Sequence, residues 1–173
     1  MYNYNMYLFI LFLVIWYIYI SMSDWIIHKY IMHNDNSPIL SWRINHRIHH
    51  KEIEGTIKNN DTSLIFSNKE IFIIATITVI PIIAIFIYFK INILYIILLI
   101  LFHYIGIFVG ICIHNYAHTK HHNCDKIFDC TKIPIPTFIY NIISDHHENH
   151  HKNPKKNFCV VFLGFDKLIG TNY

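Results

Sequence analysis

Three long apolar stretches dominate the hydrophobic pattern of the chain. They cover residues 6–27, 71–89 and 91–113, and each is close to the roughly 20 residues that a helix needs to cross a bilayer. Their apolar residues are continuous rather than periodic, so we predict transmembrane helices rather than amphipathic helices around a soluble core. The first stretch has no basic residue before it and no small-residue cleavage site. We therefore expect a retained anchor, not a cleaved signal peptide.

Little polar sequence separates the second stretch from the third. Only Lys90 and its neighbours interrupt them, which predicts a tight helical hairpin, with Pro81 as an expected kink in its first arm. The alternative is one helix bent at Lys90, but residues 71–113 are too many for a single bilayer crossing.

With three crossings, residues 28–70 and 114–173 lie on the same side of the membrane. Thirteen of the fourteen Lys and Arg residues fall in these two segments, so the positive-inside rule makes that side cytoplasmic.

Composition supports a membrane protein and excludes other classes. Hydrophobic residues make up 54% of the chain and charged residues only 14%, below the roughly 25% of a soluble domain. The formal charge of +3 is small and spread out, and no nucleic-acid-binding motif is present, so we expect no nucleic acid partner. The spacing of Cys112, Cys124, Cys130 and Cys159 matches no zinc or redox pattern. We expect reduced thiols, with zinc binding by Cys124 and Cys130 as a weaker alternative.

Thirteen of the fourteen histidines also lie in the two polar segments, in four clusters. These are "HKYIMH" (His28, His33), "HRIHH" (His46, His49, His50), "HNYAHTKHH" (His114, His118, His121, His122) and "HHENHH" (His146, His147, His150, His151). Residues three and four apart share a helix face, so His46, His49 and His50 are expected to point together, as are His147, His150 and His151. His114, His118 and His121 extend the same argument over two turns. The remaining histidine, His103, lies in the third span, where we expect it to bond a neighbouring helix rather than to line a substrate path.

This repeated spacing suits metal binding by neutral imidazole. Ten or more ligands exceed one tetrahedral site, and two metals with about five imidazoles each are the natural count. Beside a hydrocarbon phase, such a centre suggests oxidation of an unactivated C–H bond, for which redox-active iron is suitable and zinc is not. Two alternatives remain open: solvated polar helix faces, and a protein that stores or transports zinc.

The order H-x4-H, H-x2-HH, H-x3-H, H-x2-HH resembles the fatty acid hydroxylase/sterol desaturase superfamily of integral-membrane di-iron enzymes. Within it, "HKYIMH", "HRIHHKEIEGTIKNND", "IHNYAH" and "HENHHKNPKKNFCVVFLGFDKL" are most similar to bacterial-type β-carotene hydroxylases, over residues 24–168. The sequence departs from that pattern in an extra "NDNSPILSWR", in the shorter spacing of the third box, and in the C-terminal "FDKLIGTNY". That ending looks more like the ending of sterol desaturases and fatty acid hydroxylases. The third box also has the extra histidines His121 and His122, so His118 with His122 could replace His114 with His118 as its ligand pair.

The resemblance implies a single domain over residues 1–173: an all-α integral membrane protein of three to four transmembrane helices with a cytosolic histidine-rich helical cap. It implies a multi-pass enzyme that uses O₂, two iron ions and electrons from ferredoxin or a similar carrier to hydroxylate a lipid-soluble substrate. The expected substrate is a carotenoid ring, with β-carotene converted to zeaxanthin. The alternatives are a fatty acid or sterol hydroxylase or desaturase, and a non-catalytic membrane metal-binding protein.

The predicted ligands are the histidines that match the boxes, namely His28, His33, His46, His49, His50, His114, His118, His147, His150 and His151. His121, His122 and His146 are second choices. Asp24, Asp61, Asp145 and Asp166 are candidates to orient imidazoles through the other ring nitrogen, with Asn60 beside Asp61. For each of these carboxylates, a solvated surface position is the stronger expectation.

Overall fold

The computed structural model describes residues 2–37, 39–53, 68–122 and 136–172, and within these it describes the side chains of 10–37, 39–51, 69–114, 117 and 136–172. The regular structure in these residues is helical. The elements are α1 (Tyr2–Ile26), a π-helix (Ile27–Met32) that continues it, α2 (Leu40–Ile53), α3 (Asn68–Tyr88), α4 (Ile93–His122), α5 (Thr137–Lys152) and α6 (Phe165–Ile169). Asn60, Asp61, Cys124 and Cys130 lie outside the described residues.

Three of these helices are long and apolar enough to cross a membrane. The candidate spans are Ile10–Met32, Lys69–Tyr88 and Ile93–His114, close to the three stretches predicted from the sequence. Large apolar side chains on α1, α3 and α4 are widely exposed, for example Ile15 at 57%, Ile77 at 56% and Leu101 at 57%. Lipid would cover such surfaces, which a soluble protein would bury. Helix α4 continues beyond its span, which ends at His114.

The turn between α3 and α4 confirms the predicted hairpin. Lys90 adopts the left-handed conformation, with φ of 55°. Its N–H donates to the carbonyl of Ile87 at 3.0 Å, and the next N–H, of Ile91, donates to Phe86 at 2.9 Å. This pair of bonds is the Schellman motif that ends many helices. Asn92 then starts α4, because its side-chain oxygen accepts the N–H of Leu94 at 2.9 Å. A single bent helix is therefore excluded.

A buried polar triad joins the three spans. His103 on α4 is fully buried and donates its Nε2–H to the hydroxyl of Thr78 on α3 at 2.9 Å. Its Nδ1 accepts the indole N–H of Trp16 on α1 at 3.3 Å. The hydroxyl of Thr78 donates in turn to the carbonyl of Ile74 at 2.7 Å. His103 thus bonds neighbouring helices, as predicted.

The chain between α5 and α6 packs along α1. We call residues 161–165 the C-terminal turn. Three side chains on one face of α1, Tyr17, Ser21 and Asp24, bond its backbone. Tyr17 donates to the carbonyl of Leu163 at 2.5 Å, Ser21 bonds the carbonyl of Phe162, and Asp24 accepts the N–H of Val161 at 2.9 Å. Non-helical backbone beside a membrane helix needs such partners, since lipid offers none.

Candidate metal centre

Of the two histidines of "HKYIMH", His28 lies on the π-helix and His33 caps its C-terminal end. The N–H of His33 donates to the carbonyl of His28, five residues earlier, at 3.1 Å. In an α-helix, side chains five residues apart point in directions that differ by about 140°. The wider π turn reduces this offset, and the two imidazoles stack with centroids 4.9 Å apart. π-turns are frequent at functional sites, and here the π-helix explains how a five-residue spacing places two imidazoles together.

Five imidazoles form a first cluster. It comprises His28, His33, His46, His50 and His150, each offering one nitrogen, and these nitrogens all lie within 4.8 Å of one another. The Nε2 atom of His28 is 2.9 Å from that of His46, and the Nε2 atom of His33 is 3.0 Å from that of His150. The π-helix, α2 and α5 all contribute, so the cluster joins segments that are distant in the sequence.

A second cluster lies beside the first. His49, His147 and His151 are all buried and offer nitrogens within 4.8 Å of one another. His114, at the end of the third span, places its ring 4.5 Å from the ring of His147. The two clusters are adjacent, because the rings of His50 and His151 are also 4.5 Å apart. The side chains of His118, His121 and His122 are not among those described, so their candidate roles stay predictions.

Each H-x2-HH motif divides its imidazoles between the clusters. His46 and His50 belong to the first cluster, whereas His49 belongs to the second; on α5, His147 and His151 belong to the second and His150 to the first. The three imidazoles of a motif do lie on one side of their helix, as expected, with the rings of His46, His49 and His50 within 5.9 Å of one another, but they belong to two different clusters. Side chains four apart differ by about 40° around a helix, whereas adjacent ones differ by about 100°. The two histidines four residues apart therefore belong to the same cluster, and the histidine between them points into the other cluster.

The imidazoles of the first cluster present lone pairs to one another. The Nδ1 atom of His28 is 2.7 Å from the carbonyl oxygen of Phe158, and that of His150 is 2.7 Å from the carbonyl oxygen of Lys156. A carbonyl only accepts, so both Nδ1 atoms carry a proton and both Nε2 atoms are unprotonated. Converging lone pairs repel unless a proton or a cation lies among them.

Protonation of these imidazoles is unfavourable in this environment. Burial, and then the neighbouring imidazoles, lower the pKa of His33 to about 3 and that of His50 to about 2. Burial likewise lowers the pKa of His150 to about 4. These groups are neutral near pH 7, which is the form that binds metals. The donor set therefore fits a transition metal held by imidazole, with backbone carbonyls fixing two ligand tautomers as outer partners usually do.

The carboxylates differ from the sequence-based expectation. Asp145 is exposed, as expected, but Asp166 is only 1% exposed, so the expectation of a solvated position was wrong for it. Its Oδ2 lies 3.5 Å from the Nε2 of His146, which belongs to neither cluster. Asp24 bonds the backbone of the C-terminal turn, not an imidazole. The sequence signal that would have singled out Asp166 is the "FDKLIGT" ending.

An apolar cavity of about 120 Å³ lies between the clusters and the membrane helices. The imidazoles of His28, His46, His49 and His114 form part of its wall, and Ile20, Ile74, Ile107 and Phe162 are among its apolar lining residues. Both clusters therefore face a space bounded by the spans α1, α3 and α4. An apolar molecule dissolved in the bilayer is the kind of ligand that such a wall accommodates.

Comparison with known proteins gives one match. The family model described as fatty acid hydroxylase matches residues 10–171, which includes both clusters and all three candidate spans. No curated protein matches the chain, and no solved structure does.

Proposed function

Because the chain belongs to the fatty acid hydroxylase family, and is thus an integral-membrane enzyme of the hydroxylase/desaturase kind, we propose that it is an O₂-dependent non-haem di-iron monooxygenase. Its substrate is lipid-soluble. The observation that carries the proposal is the adjacency of two imidazole clusters, each wholly or partly buried, to one mainly apolar cavity.

The proposed ligands are the ten histidines named from the sequence. Five of them form the first cluster and three the second, and His114 with His118 would complete the second. Iron bound there would supply the activation of O₂ that attack on an unactivated C–H bond requires. Imidazole ligands suit iron, and the neutral state of the first-cluster imidazoles keeps them available to it.

The residues of the chain do the binding and the positioning. The mainly apolar wall of the cavity would hold an apolar substrate beside His28, His46 and His49, which also line it. One oxygen atom enters the C–H bond and the other leaves as water, so protons and electrons must come from outside the cavity. A ferredoxin or similar carrier is the proposed electron donor. The basic residues of the polar segments favour placing the clusters on the cytoplasmic side.

The proposed substrate is the ring of a carotenoid such as β-carotene, on the likeness of the histidine boxes to bacterial-type β-carotene hydroxylases. A fatty acid or sterol is the alternative within the family, favoured by the C-terminal "FDKLIGT". A non-catalytic metal-binding role is the alternative outside enzymology, because ligand clusters alone do not require turnover.

The test is expression of the chain in a bacterial host that accumulates β-carotene. Pigments are separated by chromatography, after the protein is shown to reach the membrane. Cryptoxanthin or zeaxanthin made by the wild type, and not by His150→Ala, would support carotenoid hydroxylation. Unchanged carotene with intact membrane protein would reject that substrate, and analysis of acyl chains and sterols from the same membranes would then test the alternative. If the purified protein contains no iron and the membranes contain no oxidised lipid, the proposal that the chain is an enzyme is rejected.

A further inference from the structure

Two peptide groups near the C-terminus connect the first cluster to residues 166–171. The peptide group between Phe158 and Cys159 is bonded at both ends. Its carbonyl accepts the Nδ1–H of His28 at 2.7 Å, and its N–H donates to the Oδ2 atom of Asp166 at 2.5 Å. A carboxylate is thus joined through one planar amide to an imidazole of the first cluster.

The peptide group between Lys156 and Asn157 repeats this arrangement. Its carbonyl accepts the Nδ1–H of His150 at 2.7 Å, and its N–H donates to the carbonyl of Thr171 at 2.8 Å. The hydroxyl of Thr171 donates to the Oδ1 atom of Asp166 at 2.5 Å. Residues 166 and 171 therefore hold the amides that orient imidazoles from two different helices.

The carboxyl group of Asp166 is buried but stays ionised. Its side chain is 1% exposed, and burial alone raises the pKa of a carboxyl group. The nearby His146 imidazole, with its Nε2 atom 3.5 Å from Oδ2, and hydrogen bonds from the Thr171 hydroxyl and the Cys159 N–H outweigh that effect and lower the pKa of Asp166 to about 2. A buried anion is costly unless it is fully bonded. Both oxygens of Asp166 accept hydrogen bonds, Oδ1 from the Thr171 hydroxyl and Oδ2 from the Cys159 N–H.

We propose that Asp166 is a positioning residue for the metal centre: through the Phe158–Cys159 amide it orients His28 and strengthens its imidazole as a ligand. Hydrogen bonds in a chain polarise one another, so an anion at the amide N–H makes the carbonyl a better acceptor of the His28 proton. A carboxylate that bonds a ligand histidine directly acts in this way in many metal sites. Here a peptide group is interposed. The inference rests on the proposed metal centre.

Asp24 provides a matched control. It is also a carboxylate that accepts backbone N–H groups of the same segment, from Val161 at 2.9 Å and Phe162 at 3.2 Å. The described contacts of Asp24 do not lead through an amide to an imidazole. Asp24→Asn and Asp166→Asn therefore remove the same charge from similar bonds, and only the second acts on His28.

The experiment uses the full chain in detergent, stripped with a chelator and titrated with Co²⁺. The cobalt absorption spectrum and the dissociation constant are measured for the wild type, Asp166→Asn and Asp24→Asn, together with the unfolding temperature of each metal-free protein. We expect Asp166→Asn to weaken cobalt binding by about tenfold or more and to shift the spectrum, the usual effect of losing an outer partner. Asp24→Asn is expected to lower the unfolding temperature without shifting the spectrum.

A double-mutant cycle tests the route through His28. If Asp166 acts through this imidazole, Asp166→Asn adds little to the loss of cobalt binding already caused by His28→Ala. If Asp166→Asn does not fold, Thr171→Val replaces it. That variant removes the hydroxyl held at Oδ1 and should shift the same readouts in the same direction by less.

The possible results separate the two proposals. A wild type that binds no cobalt would overturn the metal centre itself. Cobalt binding with equal spectra in the wild type and Asp166→Asn, or in the wild type and Thr171→Val where that variant is used, would overturn only the positioning role. So would an Asp166→Asn effect that is undiminished in the His28→Ala background.

Discussion

Replacing Thr78 by Val should destabilise the protein measurably, because it breaks the triad that joins the three spans. Valine has the shape of threonine without the hydroxyl that accepts the Nε2–H of His103 at 2.9 Å. The imidazole cannot avoid the loss by moving its proton to Nδ1, since the indole N–H of Trp16 already points at that atom. The result is a weakened donor in a fully buried imidazole.

The magnitude follows from the surroundings of His103. A buried donor left without an acceptor costs about 1–3 kcal/mol, and hydrogen bonds between membrane helices average about 0.6 kcal/mol. The carbonyl of Ala75 also bonds His103 and should retain part of the interaction. We therefore expect Thr78→Val to cost about 1 kcal/mol, roughly a fivefold change in the unfolding equilibrium.

The assay is reversible unfolding in mixed detergent micelles, followed by circular dichroism. Thr78→Ser is the control, because it keeps the hydroxyl and loses only a methyl group, and it should remain closer to the wild type. A Thr78→Val protein as stable as the wild type, or a Thr78→Ser protein equally destabilised, would refute the reasoning.

Three further predictions concern the clusters and the C-terminal turn. His150→Ala should abolish turnover while the protein stays in the membrane, and His121→Ala should be much milder; equal turnover of His150→Ala and the wild type would remove His150 from the ligands. A Cβ atom at Gly110 would lie 2.5 Å from a methyl carbon of Val161, so Gly110→Ala should cost about 1–3 kcal/mol, and adding Val161→Ala should recover most of it. No recovery in the unfolding assay would contradict that packing. Removing metal with a chelator should stop turnover and lower the unfolding temperature. Iron(II) should then restore both, but redox-inactive zinc only the temperature, and turnover that survives complete removal would reject a metal-dependent reaction.

The three spans and the hairpin could be predicted from the sequence because lipid imposes long apolar runs. The hairpin turn could be placed at Lys90 because this residue and its neighbours are the polar interruption between the second and third apolar stretches. The superfamily could be predicted as well, since the order of the histidine boxes is itself the signature. The β-carotene hydroxylase subtype stays a prediction.

The division of the candidate metal centre into two imidazole clusters could not be predicted. A helical wheel puts His46, His49 and His50 on one face, but two clusters side by side divide that face. Only the contacts of these imidazoles with those of α5 decide which cluster each one joins. The π-helix at His28 was not predicted, because residues five apart do not share a face of an α-helix and the spacing of His28 and His33 therefore indicated no regular element. Asp166 looked like a surface residue because its partners, Cys159 and Thr171, are brought to it by a chain reversal that hydrophobicity does not encode.

The bonds between α1 and the C-terminal turn set an order for biogenesis. During synthesis, α1 enters the membrane first, with Tyr17, Ser21 and Asp24 on one of its faces, and their backbone partners lie well over a hundred residues later in the chain. The carbonyls that orient His28 and His150 belong to the same late segment. The orientation of His28 and His150 in the first cluster therefore depends on residues 156–171, and a nascent chain that ends before them lacks the carbonyls that fix these two imidazoles.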